Sequence, residues 1–260
     1  MRSEPNATSP QLLYRAMGLL ERVSAYARGR GYGAASIGNE IKQILRMRNA
    51  TPRLAIDIGG NVGNYTAELR SRSPDLEIHV FEPSAKNVAI LRTRFVQDPK
   101  ITLVACALSD HSGSATLFSN VPGSSLSSLS KRKLDHFGIP FECTEAVEAM
   151  RFEDYWTSVL AERQLDIVKI DVEGHELAVL RGFGRALAAT RVVQFEFGGC
   201  NIDTRTYFRD FWYFFTEAGF NLYRITPIGA ERIHRYRESE EAFTVTNFIA
   251  VNQSAALSSD

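Results

Sequence analysis

The sequence has few cysteines and no pair of them close together. Three cysteines occur among its 260 residues, namely Cys106, Cys143 and Cys200, and there is no Cys-x-x-Cys motif. This spacing argues against a zinc site and against a disulfide framework. It is typical of a protein from a reducing compartment, and we expect a cytoplasmic location.

Charge of either sign is not in excess, and long apolar runs are absent. Thirty basic and thirty acidic residues cancel, whereas a nucleic-acid-binding protein usually shows a strong basic excess. No apolar run approaches the roughly 20 residues that a membrane-spanning helix needs. Glu4, Pro5 and Pro10 interrupt the N-terminal segment, which lacks the apolar core of a signal peptide. We therefore predict neither a nucleic-acid partner nor a membrane span.

The sequence does contain an alternation of strand-like and helix-like segments from residue 53 onward. Short apolar runs predict strands at 53–58, 76–82, 101–107, 166–171 and 191–197. Helical periodicity predicts helices at 64–72, 84–96, 152–163, 175–188 and 204–218. This alternation predicts an α/β fold with a doubly wound, mostly parallel sheet.

Other parts of this region are less regular. Strands 220–226 and 243–251 have no clear helix between them, and they predict an antiparallel C-terminal hairpin. Residues 114–119 predict a short strand. Residues 120–131 predict a Ser-rich loop, and residues 132–150 predict an irregular segment.

We divide the chain into three parts. Residues 1–50 form an N-terminal helical extension with predicted helices at 10–28 and 36–48. Residues 51–253 form the α/β domain, and residues 254–260 form a flexible tail. The extension is the candidate surface for a homodimer.

A glycine turn after the first strand carries the most information. Gly59 and Gly63 follow Asp57 in the pattern Asp-x-Gly-x-x-x-Gly, which lets a ligand approach the backbone at a helix N-terminus. A dinucleotide fingerprint would need glycine at Asn61, so NAD is disfavoured. The spacing fits the first motif of S-adenosylmethionine (SAM)-dependent methyltransferases, and the alternative is a purely structural turn. We predict that the cofactor is contacted here by Asp57, Gly59, Asn61, Gly63 and Tyr65, and at the later strand ends by Glu82, Ser109, Asp110 and Asp171.

Carboxylates also follow the next two strands. Ligands of open α/β sheets bind beyond the carboxyl ends of the strands. Glu82 ends the second strand and could accept hydrogen bonds from both ribose hydroxyls, or could cap the following helix. Ser109 and Asp110 follow the third strand. Asp110 could accept from the adenine amino group, or the pair could form an ordinary turn.

The strand at 166–171 contains an unusual lysine. Lys169 and Asp171 point to the same face of the strand, and a lysine inside an apolar strand is costly unless it is paired. Asp171 or Glu196 could be its partner, either in a structural salt bridge or at the rim where a methyl acceptor lies. His175 opens the next helix. It could act as a general base or as a surface or capping residue.

Three stretches together resemble the FkbM family of SAM-dependent methyltransferases. They are residues 56–66, 80–83 and 166–182, and the resemblance extends over about residues 53–251. It implies a class I Rossmann-like fold, SAM as cofactor, and methyl transfer, usually to a hydroxyl of a sugar or of a polyketide-type product. The acceptor itself does not carry over from the resemblance.

Two devices could remove the proton of an acceptor hydroxyl. His175 or a carboxylate among Asp171, Glu173 and Glu196 could act as general base. Alternatively, Asp171, Glu196 and Asn201 could hold Mg²⁺ and lower the pKa of the hydroxyl, as a similarity with metal-dependent O-methyltransferases implies.

The sequence therefore predicts an O-methyltransferase acting on a glycan or a glycosylated metabolite. Segments 120–140 and 200–215 are the predicted walls of the acceptor pocket. The alternatives are a methyltransferase acting on a polyketide or peptide, and a SAM-binding protein without activity. An NAD-linked oxidoreductase is disfavoured by the glycine spacing.

Overall fold

The computed structural model describes residues 9–33, 37–47 and 51–256. Its strands, in chain order, are β1 (Leu54–Ile58), β2 (Glu77–Phe81), β3 (Ile101–Val104), β4 (Ala107–Leu108), β5 (Gly113–Ser119), β6 (Cys143–Met150), β7 (Leu165–Ile170), β8 (Thr190–Phe197), β9 (Phe220–Thr226), β10 (Gly229–Ile233) and β11 (Thr246–Asn252). Its α-helices are α1 (Ser9–Ala27), α2 (Ile37–Arg46), α3 (Asn64–Arg72), α4 (Ala85–Arg94), α5 (Phe152–Ser158), α6 (Glu176–Gly182), α7 (Cys200–Thr204), α8 (Phe208–Glu217) and α9 (Gln253–Ala256).

An eight-stranded sheet in the order β10-β9-β11-β8-β7-β1-β2-β3 organises the fold. Strands β3, β2, β1, β7 and β8 are mutually parallel. Every residue of β1 is buried, because helices cover both faces of the sheet. One core contains residues of α5, α6 and α8, and the other contains residues of α2 and α3. The predicted α/β fold with a doubly wound, mostly parallel sheet is confirmed.

The C-terminal strands are more complex than the predicted hairpin. β11 pairs antiparallel with both β8 and β9, so it inserts between them. The hairpin partner of β9 is instead β10, which the sequence analysis missed. β10 is short and largely exposed on the edge of the sheet, so its residues lack the apolar pattern that identifies a buried strand.

A second sheet replaces the predicted irregular segment. The prediction for residues 132–150 is wrong in part, because β6 pairs with β4 and β5 in a three-stranded sheet. The predicted strand 101–107 is also divided. It leaves the main sheet after Val104, and Ala107 pairs with Ala149 of the small sheet. The small sheet thereby covers the region beyond the end of β3.

Three predicted elements differ in extent from the observed ones. Predicted helix 152–163 ends at Ser158, before two residues with positive φ. Predicted helix 204–218 is broken at Arg205, whose φ is 54°, and restarts as α8. The predicted tail, 254–260, begins inside α9, and its residues 257–260 lie outside the described part of the chain.

Both N-terminal helices occur, but they differ in their environment. α2 packs on the sheet through the buried Ile41 and Ile44. α1 is exposed along almost its whole length, including the side chains of Leu12, Leu19 and Val23. None of the helices in the described residues is both long and apolar enough to cross a membrane.

Candidate active site

A cavity of about 740 Å³ lies at the carboxyl-end edge of the main sheet. Its floor contains Gly59, Glu82, Asp171 and Glu196, which follow or end β1, β2, β7 and β8. The Ser-rich loop after β5 and the segment before β11 contribute its walls. This is the edge at which open α/β sheets bind ligands, and it brings together most of the predicted site residues.

The glycine turn makes close backbone contacts on two sides. Gly59 has φ 80°, and a Cβ there would lie 1.8 Å from the carbonyl oxygen of Asp171. Gly63 has φ 82°, and a Cβ there would lie 2.6 Å from the ring of Phe95. Gly59 lines the cavity, whereas Gly63 does not. The glycine at position 63 is therefore required by helix packing and positive φ.

Lys169 is the centre of a buried ion-pair cluster. Its Nζ donates to the carbonyl oxygen of Gly59 at 3.1 Å and lies 3.4 Å from carboxylate oxygens of both Asp57 and Asp171. Burial lowers the pKa of Lys169, but Asp171 and Asp57 outweigh it and hold the pKa above its ordinary value. Asp57 is fully buried behind the turn, where it also accepts from Thr66 Oγ1 at 2.5 Å. Unlike Lys169 and Asp171, Asp57 does not line the cavity.

Glu82 lines the cavity and is held by backbone donors. Its Oε2 accepts from the N–H of Asn61 at 2.8 Å, and its Oε1 accepts from the N–H of Ser84 at 2.9 Å. Burial raises the pKa of Glu82 above its ordinary value, although these hydrogen bonds oppose the shift. Asn61 also lines the cavity. The second-strand carboxylate is thus fixed in orientation where a nucleoside could meet it.

Ser109 and Asp110 do not reach the cavity. Ser109 is buried, and Asp110 is directed to an exposed contact with His111, at 2.7 Å from its Nδ1. The chain crosses from β3 into the small sheet through β4, and this displaces both residues from the sheet edge. Leu108 lines the cavity in their place. The predicted adenine contact of Asp110 is therefore not supported by its position.

Ser109 instead contacts His175, which does line the cavity. Ser109 Oγ lies 3.0 Å from Nε2 of His175 and donates to Asp110 Oδ1 at 3.2 Å. Burial lowers the pKa of His175, against an opposing effect of Asp110. The imidazole is therefore neutral near pH 7.

The carboxyl groups of Asp171, Glu173 and Glu196 lie close together in the cavity. Glu173 pairs with Arg132 Nη1 at 2.5 Å, and burial together with Asp171 raises its pKa to about 8. Burial, with Asp171 and Glu173 nearby, holds the pKa of Glu196 well above its ordinary value. All four side chains line the cavity. Arg132 comes from the loop after β5 and was not identified from the sequence.

The predicted Mg²⁺ site does not form as expected, because Asn201 is occupied elsewhere. Its Oδ1 accepts from the N–H of Gly198 at 2.9 Å, and its Nδ2 lies 3.4 Å from Glu176 Oε2. It is fully buried and does not line the cavity. Asp171 and Glu196 therefore lack the third ligand that the sequence analysis assigned to them.

Among the described residues, a different set of side chains lies close enough together to bind a metal ion. It consists of Glu173, Glu196 and the thiol of Cys200. Burial, with Glu176 nearby, raises the pKa of Cys200, so this thiol stays protonated. Mg²⁺ is bound by oxygen ligands. The donor set therefore does not fit the predicted ion.

The walls of the cavity include segments that the sequence only partly indicated. Residues 124–129 line it, as expected for the loop 120–140. From the predicted wall 200–215, Cys200 lines the cavity, whereas Phe211 and Phe215 stack on Phe195 in the core. Their spacing of four residues places both on the face of α8 that packs against the sheet.

The N-terminal extension also reaches the cavity, which the sequence analysis missed. Glu40 of α2 lines it, together with Tyr65 and Asn247. Tyr65 donates to Gln194 Oε1 at 2.9 Å, and Gln194 Nε2 donates to Glu40 at 2.6 Å. The available signal was a single glutamate among the apolar positions Ile37, Ile41 and Ile44.

The charge of the cavity fits SAM. Five carboxylates line it among the described residues, those of Glu40, Glu82, Asp171, Glu173 and Glu196. The cationic side chains that line it there are Lys169 and Arg132, and both are already paired with these or neighbouring carboxylates. A sulfonium and an ammonium group suit such a surface, whereas a pyrophosphate needs positive charge or free backbone donors.

Comparisons with known proteins identify the family of this chain. The family model "Methyltransferase FkbM domain" matches residues 57–222. The 2-O-methyltransferase NoeI of Sinorhizobium fredii is 26% identical over 165 residues, which cover 60% of this chain and 68% of NoeI. The methyltransferase sdnD of Sordaria araneosa is 27% identical, with 49% of this chain and 59% of sdnD covered.

A solved structure of a methyltransferase FkbM from Methylobacillus flagellatus is 15% identical, with a TM-score of 0.46. The match covers 78% of this chain and 44% of that one. Because the FkbM domain model spans more than half of the sequence, the chain belongs to the FkbM family and is a methyltransferase.

Proposed function

We propose that this protein is a SAM-dependent O-methyltransferase whose acceptor is a hydroxyl of a sugar, a glycan or a glycosylated metabolite. The methyltransferase fold supports SAM as the cofactor. The observation that supports the proposal most directly is that one cavity contains both halves of such a site. Glu82 and the glycine turn line it, and so do the polar side chains of Asp171, Glu173 and His175. NoeI, which is named a 2-O-methyltransferase, supports transfer to oxygen.

The cofactor would be held mainly by the first two strand ends. Glu82 would accept hydrogen bonds from the ribose hydroxyls. Asn61 and Tyr65 also line the cavity and are further candidate contacts of the cofactor. When bound, SAM supplies an electrophilic methyl group on a sulfonium. Holding an acceptor in line with such a group can contribute about 7–11 kcal/mol toward the barrier.

His175 is the general base in this proposal. The hydroxyl proton of Ser109 is directed to Asp110, so Ser109 accepts the Nε2 proton of His175. This leaves Nδ1 of His175 without a proton and able to take one from an acceptor hydroxyl. Ser109 and Asp110 are positioning residues, because they act through His175.

Two alternatives remain, namely a different acceptor class and a protein that binds SAM without catalysing transfer. A polyketide or peptide acceptor would present a largely apolar surface. The polar side chains of Glu173, Glu196 and Arg132 complement such a surface poorly. A SAM-binding protein without activity would have no need of a neutral, oriented His175. The proposed transfer uses no metal, because the donor set around Glu196 does not fit Mg²⁺.

The first prediction concerns cofactor binding. Glu82→Gln weakens binding of S-adenosylhomocysteine (SAH) by about 10–100-fold, since a charged acceptor is worth roughly 1.5–3 kcal/mol. Isothermal titration calorimetry measures this. Asp110→Asn is the matched control, and it keeps wild-type affinity because Asp110 lies outside the cavity. Equal losses in both variants would restore the adenine role of Asp110.

The second prediction is methyl transfer itself. Incubation with SAM and a panel of oligosaccharides gives SAH and a product heavier by one methyl group, detected by mass spectrometry. Prior treatment with EDTA leaves the rate unchanged. A rate that disappears with EDTA and returns with Mg²⁺ would contradict the metal-free proposal. SAH formation only with polyketide or peptide acceptors would move the acceptor to that class.

The third prediction tests the base by mutation and pH. His175→Ala lowers kcat by about 10²–10⁴-fold and leaves SAH affinity within about threefold. In the wild type, kcat/KM falls toward acid with a midpoint below the ordinary histidine value, because burial lowers the pKa of His175. A carboxyl base at Glu173 would instead give a rate that rises through about pH 8.

We also propose that α1 pairs with α1 of a second copy. Leu12, Ala16, Leu19, Val23 and Tyr26 recur at intervals of four and three, which is the seam of a coiled coil. Eight large apolar side chains of α1 are each more than half exposed. Four of them, Leu12, Leu19, Val23 and Tyr26, belong to the seam, and at roughly 100 Å² each they amount to about 400 Å² per protomer, about half of what a standard interface buries on each partner. The predicted cytoplasmic location stays part of the proposal.

The fourth prediction is a dimer that depends on this seam. Sedimentation velocity gives a dimer for the wild type and a monomer for Leu19→Glu/Val23→Glu. Tyr14→Ser, which changes an exposed side chain outside the seam, stays dimeric. A monomeric wild type, or a seam variant that remains dimeric, would contradict pairing through α1. Binding of a monomer to lipid vesicles would assign the helix to a membrane surface.

A further inference from the structure

The N-terminal extension forms a wall of the cavity although it lies outside the matched family domain. Gly31, Gly33, Ile37 and Glu40 line the cavity, whereas the FkbM model begins at residue 57. Of these four, only Glu40 carries a charge. A buried carboxylate at a ligand cavity is costly unless hydrogen bonds or an opposite charge stabilise it.

Two neutral donors from β8 and β11 hold the side chain of Glu40 in place. Its Oε2 accepts from Gln194 Nε2 at 2.6 Å, and its Oε1 accepts from Asn247 Nδ2 at 3.2 Å. Gln194 is held in turn by the hydroxyl of Tyr65 at 2.9 Å. The side chain is only 5% exposed, yet it lines the cavity. The carboxyl group is therefore held in a fixed orientation at the cavity wall.

The ammonium group of Lys169, which also lines the cavity, contacts groups other than Glu40. Lys169 contributes its Nζ to the Gly59 carbonyl oxygen and to carboxylates of Asp57 and Asp171. Glu40 acts on Lys169 only through space, as one of the charges that raise its pKa. The carboxyl groups of Glu40 and Asp171 both line the cavity near this ammonium group.

The position of Glu40 in the cavity indicates which part of the cofactor would lie next to it. On the proposed function, Glu82 at β2 takes the ribose, and the polar group around Glu173 and Glu196 takes the acceptor. The remaining arm of the cofactor, its amino-acid portion, then extends along Gly59 toward α2. That arm carries an α-ammonium group, which is the one part of it that complements a carboxylate.

We propose that Glu40 binds the α-ammonium group of the cofactor's methionine portion, so that the N-terminal extension completes the cofactor site. The proposal rests on the proposed function for the identity of the ligand. It assigns to α2 a role in ligand binding in addition to its packing on the sheet. The purely structural alternative is that Glu40 serves only to fasten α2 to Gln194 and Asn247.

A thermodynamic cycle separates these two roles. Calorimetry measures the affinity of the wild type and of Glu40→Gln for two ligands, SAH and its analogue in which hydrogen replaces the α-amino group. The wild type prefers SAH by about 10–100-fold, since the charged hydrogen bond is lost with the analogue. In Glu40→Gln this preference falls to within about threefold, while affinity for the analogue matches that of the wild type.

Two other outcomes would contradict the role of Glu40 in binding the α-ammonium group. An undiminished preference for SAH in Glu40→Gln overturns the proposal and leaves Glu40 as a structural residue. A wild type that binds neither ligand overturns the proposed function together with this inference. Glu68→Gln is the matched control, because Glu68 pairs with Arg72 on the surface of α3 outside the cavity, and it keeps the wild-type preference.

A second variant covers the case in which Glu40→Gln fails to fold, as judged by circular dichroism. Glu40→Asp keeps the charge and withdraws the carboxylate by one methylene group. The preference for SAH then falls by at least about threefold relative to the wild type. An unchanged preference in that variant overturns the proposal.

Discussion

The ion pairing of Lys169 joins the two central strands at the edge where the site forms. Lys169 lies opposite Asp57 in the register of β7 and β1, and its Nζ also binds the carbonyl oxygen of Gly59. Removing one member of a buried pair typically costs about 3–5 kcal/mol, because the other charge is left uncompensated. The glycine turn and the end of β7 are therefore fixed relative to each other by the same ammonium group.

The two turns at this edge are also coupled by close packing. The space that a Cβ of Gly59 would need is occupied by the carbonyl oxygen of Asp171. Beyond it, Glu173 has φ 56° and Gly174 has φ 99°. Glu176 stabilises this second turn, since it accepts from the N–H groups of Val172 and Gly174. The two turns therefore pack as one unit, and a side chain at position 59 would disturb both.

The sequence predicted those features that depend on short segments. The glycine spacing, the strand-end carboxylate Glu82 and the paired Lys169 follow from local pattern and from the cost of burying a charge. Asp110 and Asn201 were misplaced for a different reason. Their positions depend on the crossing of the chain into the small sheet and on the hydrogen bonds of Glu176, which join distant segments. Glu40 and Arg132 escaped notice because each reaches the cavity from an element far away in sequence.

The negative charge of the cavity links ligand binding to protonation. Burial raises the pKa of Glu173 to about 8 and that of Glu176 to about 7. Between their unfolded values near 4.5 and these folded values, the folded chain binds more protons than the unfolded chain, so these two groups make stability fall as pH rises. A cation in the cavity favours the ionised carboxylates and offsets that loss. Glu173 lines the cavity, and it is thus an acidic group that weakens the empty protein near neutral pH and that a sulfonium ligand would stabilise.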